Sequence, residues 1–313
     1  MTISKQRNTC AQVPVRGFIN VRALSDAFGL AKYQVIANSI GNDNRILLLL
    51  AKSDQTGASE YQAISIGVDW LNGGVLFQEV TDFGCLPHEI HFIQTLEDGF
   101  LLLGSRSQYF PKGKAEKNAL FTDGRGQVTA SYCFGDGINR CLVDRQQRIV
   151  TGYFDEGVFG NYGWNDPIGS SGIITWSAQG QRIWENHRHD ICDCYALNID
   201  NNNNLWFYYY TEFNLVKTNY KGETVFVPGI DGCTGFLFNI RNNFVLFDAG
   251  YDRRGEFEIM KLDNSHSKLS PLGPAEFCWN GSRLDVQGFH FRASKALLWN
   301  NNEELYYTEW REG

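Results

Sequence analysis

The chain has 313 residues, of which 43% are hydrophobic and 20% charged. These proportions are ordinary for a globular protein, and the length allows one large domain or two smaller ones. A net charge of −7 without any basic run argues against nucleic acid as a partner. An acidic surface instead suits a basic protein partner or a metal ion.

No segment approaches the roughly 18 consecutive apolar residues that a membrane helix needs. The N-terminal sequence MTISKQRNTCAQVPVRGF also lacks the apolar region of a secretion signal. The eight cysteines are irregularly spaced, and we interpret them as reduced thiols that are mostly buried. These features predict a cytosolic protein that does not bind membranes.

A pair of apolar segments separated by a short polar turn recurs along the chain, as in HFIQTLEDGFLLLGS. The second segments of these pairs begin near Ile46, Phe100, Arg148, Leu205, Phe244 and Leu297. Two further strand-like segments follow most pairs, for example in ALFTDGRGQVTASYCF. Four antiparallel strands in each repeat of roughly 40–55 residues are typical of a propeller blade. The sequence therefore predicts an all-β fold, a single six-bladed β-propeller over residues 1–313, with seven blades as the alternative.

The two ends of the chain complement each other. The last repeat, with the segments FHFRAS, ALLWNN and ELYYTEW, ends one strand short of a full blade. The N-terminal segment VRGFINVRAL precedes the first complete repeat and is free to supply that strand. Such pairing removes an open sheet edge. We therefore expect an N-terminal strand to close the ring in the last blade.

Three long loops connect the second and third strands of their repeats. Their sequences are SQYFPKGKAEK, YFDEGVFGNYGWNDPIGSS and GYDRRGEF. In a propeller these connections share one face with the links between blades, whereas the short first-to-second turns lie on the opposite face. Long loops on a rigid scaffold usually carry the binding function. We therefore expect the binding surface on the loop-rich face.

The segment YFDEGVFGNYGW, residues 153–164, holds five aromatic residues and three glycines. This glycine density predicts an irregular loop rather than a helix. Its rings exceed what one loop can bury, so we expect some to form a recognition surface, with internal packing as the alternative. Asp155 and Glu156 are candidates for an acid and base pair, or for loop fixation through backbone N–H groups. The predicted binding residues are Tyr109, Tyr153, Phe154, Asp155, Glu156, Phe159, Asn161, Tyr162, Trp164, Asn165 and Arg253.

The run GDGINRCLVDRQQRIVTGYFDEGVFGNYGW, followed by DCYALNI and WFYYYTEFNLVK, resembles a group of uncharacterised bacterial β-propeller-like proteins. The resemblance covers residues 135–217 best and fades towards both ends. It implies the propeller fold but no activity or substrate. It draws attention to Asp155, Glu156, Gly157, Asn161, Gly163, Trp164, Asp193 and Tyr195.

Polar residues recur where the first strand of each repeat begins. Aligned repeats place Asp136, Asp190, Asp231 and Asp285 at equivalent positions, and His91, Asn139, Asp193 and Thr234 one step further in, around the mouth of the channel. Oxygen and nitrogen groups that converge there suit Ca²⁺ or another divalent cation. The candidate ligands are His91, Asp136, Asn139, Asp190 and Asp193, although repeated Asp-Gly turn chemistry is the alternative. A second group, His187, His189, Cys192 and Cys194, has zinc-ligand residue types but lacks the usual spacing.

Three functions remain open. The first hypothesis is a cytosolic bacterial binding protein without a cofactor that grips a basic protein partner, for instance as an inhibitor or immunity protein against a toxic enzyme. In this hypothesis the protein is monomeric apart from that partner. The second is a metal-dependent hydrolase or lactonase with a cation at the channel mouth. The third is a carbohydrate-binding module, because exposed rings near Asp and Asn suit sugar stacking. Neither a nucleophile elbow nor a phosphate-binding loop is present in the sequence.

Overall fold

A computed structural model describes residues 10–53, 59–239, 241–300 and 304–311. Within them the chain begins with strands β1 (Ala11–Pro14) and β2 (Gly17–Asn20) and helix α1 (Val21–Ala27). Six units of antiparallel strands follow, and the first strands of neighbouring units contact one another in ring order, from the last unit back to the first. The predicted six-bladed β-propeller is confirmed.

Blades 1 to 3 follow the predicted repeats. Blade 1 contains β3 (Gln34–Ile40), β4 (Ile46–Ser53), β5 (Ser59–Val68) and β6 (Val75–Cys85). Blade 2 contains β7 (Phe92–Leu96), β8 (Gly99–Leu103), the short hairpin β9 (Tyr109–Phe110) and β10 (Lys114–Ala115), β11 (Ala119–Thr122) and β12 (Val128–Tyr132). Blade 3 contains β13 (Ile138–Val143), β14 (Ile149–Tyr153), helix α2 (Asp155–Phe159), a 3₁₀ turn (Ile168–Ser171), β15 (Ile173–Trp176) and β16 (Arg182–Glu185).

Blades 4 to 6 complete the ring. Blade 4 contains β17 (Asp193–Ile199), β18 (Leu205–Tyr210), β19 (Leu215–Thr218) and β20 (Glu223–Phe226). Blade 5 contains β21 (Phe236–Asn239), β22 (Phe244–Asp248), β23 (Phe257–Asp263), β24 (Lys268–Trp279) and the short β25 (Ser282–Arg283). Blade 6 contains β26 (Gly288–Arg292), β27 (Lys295–Trp299) and β28 (Glu304–Glu309).

The N-terminal segment joins two blades. As predicted, β2 pairs with β28 and supplies the outer strand of blade 6, with Gly17 opposite Tyr307. The strand is shorter than expected because α1 begins at Val21, where the side chain of Asn20 accepts a hydrogen bond of 2.8 Å from the backbone N–H of Ala23 and caps the helix. Unlike the prediction, β1 also pairs in parallel with β24 of blade 5.

Apolar side chains fill the spaces between blades. Strand β18 shows how alternation supports this packing, because successive side chains point to opposite sheet faces. Trp206 and Tyr208 pack between blades 4 and 5, whereas Phe207 and Tyr209 pack between blades 3 and 4. All four are fully buried or nearly so. Among the described residues, no helix has the length and apolar character that crossing a membrane requires.

Hydrogen bonds join distant blades across the channel towards the face of the first-to-second turns. Arg292 of blade 6 donates a hydrogen bond to the carbonyl oxygen of Val143 in the opposite blade 3. Beside it, the backbone N–H of Ala293 donates to the side-chain oxygen of Asn198 in blade 4 at 2.7 Å. The amide of Asn198 in turn donates to the carbonyl oxygen of Phe236 in blade 5 at 2.7 Å. These bonds form a floor beneath the channel.

Candidate functional site: the loop-rich face and the channel mouth

Two of the long loops pack against each other. The backbone N–H of Tyr109, in the blade 2 loop, donates to the carbonyl oxygen of Tyr162, in the blade 3 loop, at 2.9 Å. The ring centroids of Tyr109 and Trp164 are 4.9 Å apart. The indole N–H of Trp164 donates to the carbonyl oxygen of Ser107 at 2.7 Å. The two loops therefore form one surface above blades 2 and 3.

Arg106 supports this surface from below. Its guanidinium donates to the carboxylate of Asp136 at 3.0 Å and lies 2.6 Å from a carboxylate oxygen of Glu156. It also lies over two rings, 4.2 Å from the ring centroid of Tyr162 and 5.4 Å from that of Phe154. Hydrogen bonds from Asn161 and Arg106 hold the pKa of Glu156 below its usual range. The role of Glu156 is thus to fix the loop.

The expectation of a wholly irregular loop is wrong, because residues 155–159 form the short helix α2. Gly157 is required inside this helix, since a Cβ atom there would lie 2.5 Å from the carbonyl oxygen of Asp136. Gly163 has a positive φ of 85°, and a Cβ atom there would lie 2.4 Å from the carbonyl oxygen of Tyr109. These two glycines let the loop lie close to its neighbours.

The rings of residues 153–164 divide into two groups. Tyr153 and Trp164 are 0% and 8% exposed, and the hydroxyl of Tyr153 donates to the carbonyl oxygen of Phe134 at 2.6 Å. The structure therefore buries the rings of both of these predicted binding residues. Phe159 and Tyr162, by contrast, are 68% and 49% exposed.

The other predicted binding residues also differ in their accessibility. Asp155, Asn161 and Asn165 are exposed, whereas Phe154 is half-buried beneath Arg106. Asp155 accepts a hydrogen bond of 2.8 Å from the backbone N–H of Glu156. Arg253 is exposed in the blade 5 loop, where Glu256 at 2.9 Å and Glu258 neutralise its charge. None of these contacts brings Arg253 together with the blade 3 loop.

A second aromatic cluster was missed by the sequence analysis. The ring of Tyr195 contacts Tyr210, Phe213 and Tyr251, and its hydroxyl is hydrogen-bonded to that of Tyr251. Tyr210 is exposed because it is the last residue of β18, past the packed part of the blade. In the sequence, Tyr251 was included only as part of the predicted long loop GYDRRGEF. We call the exposed rings of this side the aromatic face: Tyr109, Phe110, Phe159, Tyr162, Tyr210 and Tyr251.

The channel mouth opens beside the aromatic face. His91, Asn139 and Thr234, three of the four residues expected there, line a cavity of about 1210 Å³. The fourth, Asp193, accepts a hydrogen bond of 2.8 Å from the amide of Asn139. Helix α1 and the blade 5 loop also line the cavity. The cavity therefore reaches the loop-rich face and ends above the floor.

The five predicted cation ligands do not form one cluster. Asp136 is buried and paired with Arg106, while Asp190 is exposed in the link between blades 3 and 4. Across the described ranges, no three His, Cys, Asp or Glu side chains are grouped so as to hold a metal ion. His189 lies 3.3 Å from a carboxylate oxygen of Glu223. Cys194 is fully buried, and burial raises the pKa of its thiol.

Burial shifts the pKa values of several groups around the cavity. It raises the pKa of Asp193 to about 6, although the amide of Asn139 and the charge of Arg140 oppose this shift. It lowers the pKa of Arg140. The pKa of His290 falls to about 3, because its ring is buried and lies near the charges of Arg292 and Arg140. His290 is therefore neutral at pH 7.

A family model, that of the YxzG family, matches residues 169–265, from the end of the blade 3 loop to the third strand of blade 5. This family has no assigned activity. The resemblance to an uncharacterised propeller-like family is confirmed. No curated protein matches the chain.

Solved structures of low sequence identity share the fold. Hsv2 of Kluyvelomyces marxianus is 11% identical with a TM-score of 0.50, and the alignment covers 90% of this chain and 77% of Hsv2. Hydrazine synthase of Kuenenia stuttgartiensis is 10% identical with a TM-score of 0.50, over 88% of this chain and 83% of that one. At such identities the similarity establishes the fold alone.

Proposed function

We propose that this protein is a binding protein that holds a protein partner on its aromatic face. The observation that carries the proposal is the exposure of six Tyr and Phe rings on one face of the propeller. Tyrosine and phenylalanine are enriched at protein interfaces, and tyrosine is common among the residues that dominate binding energy. Solvated rings of this number on one face favour a surface that a partner covers.

The support of the rings favours tight binding. Tyr162 lies on the guanidinium of Arg106, and Tyr109 packs on Trp164. Tyr195 and Tyr251 hold each other through their hydroxyl groups. Side chains that are already ordered lose less conformational entropy when a partner binds. The aromatic face is thus a preorganised surface.

Charge indicates the kind of partner. Five exposed aspartates lie in the loops and links of the same side, namely Asp155, Asp166, Asp190, Asp231 and Asp252. Together with the net charge of −7 they favour a basic partner. Lys112 and Lys114 lie in the blade 2 hairpin, so we place the basic surface of the partner over blades 3 to 5. In its narrower form, the proposal is that a monomer of this protein inhibits a basic toxic enzyme in the bacterial cytosol.

The test begins with affinity purification from the source cells and identification of a stoichiometric partner. The dissociation constant of the purified pair is then measured for Phe159→Ala and Tyr162→Ala. We expect each variant to weaken binding by roughly tenfold or more, which corresponds to about 1.4 kcal/mol. Unchanged affinity in both variants, at wild-type melting temperature, would contradict the proposal.

Leu76→Ala is the matched control. Leu76 is 69% exposed, about the same as Phe159, and follows the turn between β5 and β6. The indole N–H of Trp70, in that turn, donates to the carbonyl oxygen of Asn44 in the first turn of blade 1 at 2.9 Å. Leu76 therefore lies towards the face opposite the long loops. Its truncation should leave partner binding unchanged.

A further inference from the structure

The channel cavity has features of a small-molecule site that are separate from the aromatic face. Its volume of about 1210 Å³ accommodates a small organic ligand. Asn139 and Arg140 of blade 3 line one wall, and His290 of blade 6 lines the opposite wall. Apolar side chains such as Phe236 and Phe289 line much of the remainder. Mixed walls of this kind, apolar with a few polar groups, are typical of ligand pockets.

Arg140 lies in the wall of this cavity without a direct ion pair among the described residues. Arg140 donates to the carbonyl oxygens of Tyr195 and Asn139, both at 2.8 Å, and forms no ion pair with any described residue. The charge of Asp193 acts on Arg140 without a hydrogen bond between them, and the carboxylate of Asp193 is hydrogen-bonded to the amide of Asn139. The side chain of Arg140 is half-buried, and a charge that is partly removed from water without a direct ion pair raises the free energy of the fold. An anion beside Arg140 would relieve that penalty.

Two carboxylates and two further arginines also line this cavity. Asp248 lines the cavity but accepts two hydrogen bonds from Thr234, at 2.9 and 3.0 Å. Asp26 and Arg22 lie one helical turn apart on the exposed helix α1 at the mouth. Arg254 lines the rim. Arg140 is therefore the arginine of the inner wall that an anionic ligand would meet.

Two buried polar atoms in the same walls also lack partners. The side-chain oxygen of Asn139 and Nδ1 of His290 have no hydrogen-bond partner among the described residues. The amide nitrogen of Asn139 donates to Asp193, which leaves its oxygen as an acceptor. Buried polar groups are nearly always paired, so each unpaired group calls for an explanation. A hydroxyl group of a ligand would satisfy the oxygen of Asn139.

We propose that the channel cavity binds a small hydroxycarboxylate, with its carboxylate at Arg140 and a hydroxyl group that donates to Asn139. The neutral ring of His290 lies on the opposite wall, where Nδ1 either donates to the ligand or accepts from it, depending on its tautomer. The observations behind this site are independent of those behind the proposed partner binding.

The experiment is calorimetric titration of the full chain with lactate, malate and citrate. We expect at least one of them to bind with a dissociation constant below about 10 mM. For whichever acid binds, the analogue without the hydroxyl group tests the hydroxyl and the neutral amide tests the charge; for malate these are succinate and malamide. Each should bind roughly tenfold more weakly, because each leaves one buried polar group unpaired. Absence of binding for all three acids, or equal affinity for malate and both analogues, would overturn the proposal.

Variants locate the site. Arg140→Gln should remove the preference for malate over malamide, whereas Arg188→Gln should preserve it. Arg188 is a suitable control because it is an exposed arginine of the same side, outside the cavity lining. A preference that survives in Arg140→Gln would place the site elsewhere and overturn the assignment. If Arg140→Gln does not fold, the comparison of malate, succinate and malamide on the wild-type protein still tests whether the site recognises a carboxylate and a hydroxyl group.

Discussion

The guanidinium of Arg106 donates a hydrogen bond of 3.0 Å to the buried carboxylate of Asp136, and thereby ties the blade 2 loop to the start of blade 3. The same carboxylate accepts a hydrogen bond of 2.9 Å from the backbone N–H of Ser107. Burial raises the pKa of Asp136 even though Arg106 and Ser107 oppose this shift. Arg106 thus stabilises the charge of Asp136 and also lies against the ring of Tyr162.

Replacement of Arg106 by methionine should therefore destabilise the protein. The buried carboxylate would lose its cationic partner, and we expect the free energy of unfolding to fall by about 1–3 kcal/mol. Arg182→Met is the control, because Arg182 pairs with Glu185 at 2.9 Å on the exposed outer strand of blade 3. Such a surface pair contributes only about 0–1 kcal/mol. Urea unfolding at pH 7 measures both, and equal losses would contradict the role assigned to Arg106.

Truncation of the two rings in the blade 3 loop should separate their roles. Trp164 is buried and its indole N–H is hydrogen-bonded to Ser107, so Trp164→Ala should lower the free energy of unfolding by about 3–5 kcal/mol. Phe159 is exposed, and Phe159→Ala should change the free energy of unfolding by no more than about 0.5 kcal/mol. Urea unfolding of both variants checks this. Near wild-type stability of Trp164→Ala would mean that its ring does not support the loop.

The fold was predictable because each blade repeats a local pattern of apolar strands and polar turns. The parallel pairing of β1 with β24 was not, since it joins Ala11 to Ala275 without any turn or repeat that marks the contact. The predicted strand VRGFINVRAL was too long, because the apolar pattern does not mark where the strand ends and the helix begins. An N-cap at Asn20 ended it, whereas the apolar pattern continues through Val21 and Leu24 into a helix.

The site was only partly predictable. Aromatic and glycine content identified the blade 3 loop, but the exposure of each ring depends on neighbours that are distant in sequence. The ring of Tyr109 packs on that of Trp164. The hydroxyl of Tyr153 is hydrogen-bonded to the carbonyl oxygen of Phe134, in the link from blade 2 to blade 3. Tyr210 followed the pattern of packed strand residues and became exposed only because β18 ends there. Packing between blades therefore decides which rings are accessible.

Two truncations should separate the roles of β1 and β2. A chain that begins at Arg16 loses β1, including the buried Val13, and should be less stable by at least about 2 kcal/mol while the ring stays closed by β2. A chain that begins at Val21 also loses β2 and exposes the edge of β28. We expect this second form to aggregate, because an open strand edge pairs with other chains.

Size-exclusion chromatography and thermal unfolding distinguish the two forms. The expected result is a monomeric chain from Arg16 with a lowered melting temperature, and a chain from Val21 that elutes as aggregate. A chain from Val21 that remains monomeric, with the melting temperature of the form that begins at Arg16, would contradict closure of the ring by β2.

The pH dependence of stability depends on Asp193 and His290, which act in opposite directions. Burial raises the pKa of Asp193 to about 6, compared with about 3.9 in an unfolded chain. The folded state therefore binds this proton more tightly, and the resulting stabilisation is complete below about pH 3.9 and lost as the pH rises through about 6. The pKa of His290 is lowered to about 3, so its contribution is present above about pH 6.5 and lost as the pH falls.

Asp193→Asn isolates the first effect, because His290 is unchanged in both proteins and its contribution cancels in their difference. The variant keeps a side-chain oxygen that can accept the hydrogen bond from Asn139 but cannot take up a proton. The free energy of unfolding of the variant, relative to the wild type, should therefore rise as the pH increases from about 4 to about 7. Urea unfolding at several pH values measures this difference, and a carboxyl NMR titration of Asp193 should show a midpoint near 6. A difference that is constant with pH, or a midpoint below about 4.5, would show that the side chain of Asp193 is well hydrated, since burial in the wall of the channel mouth is the physical cause of the shift.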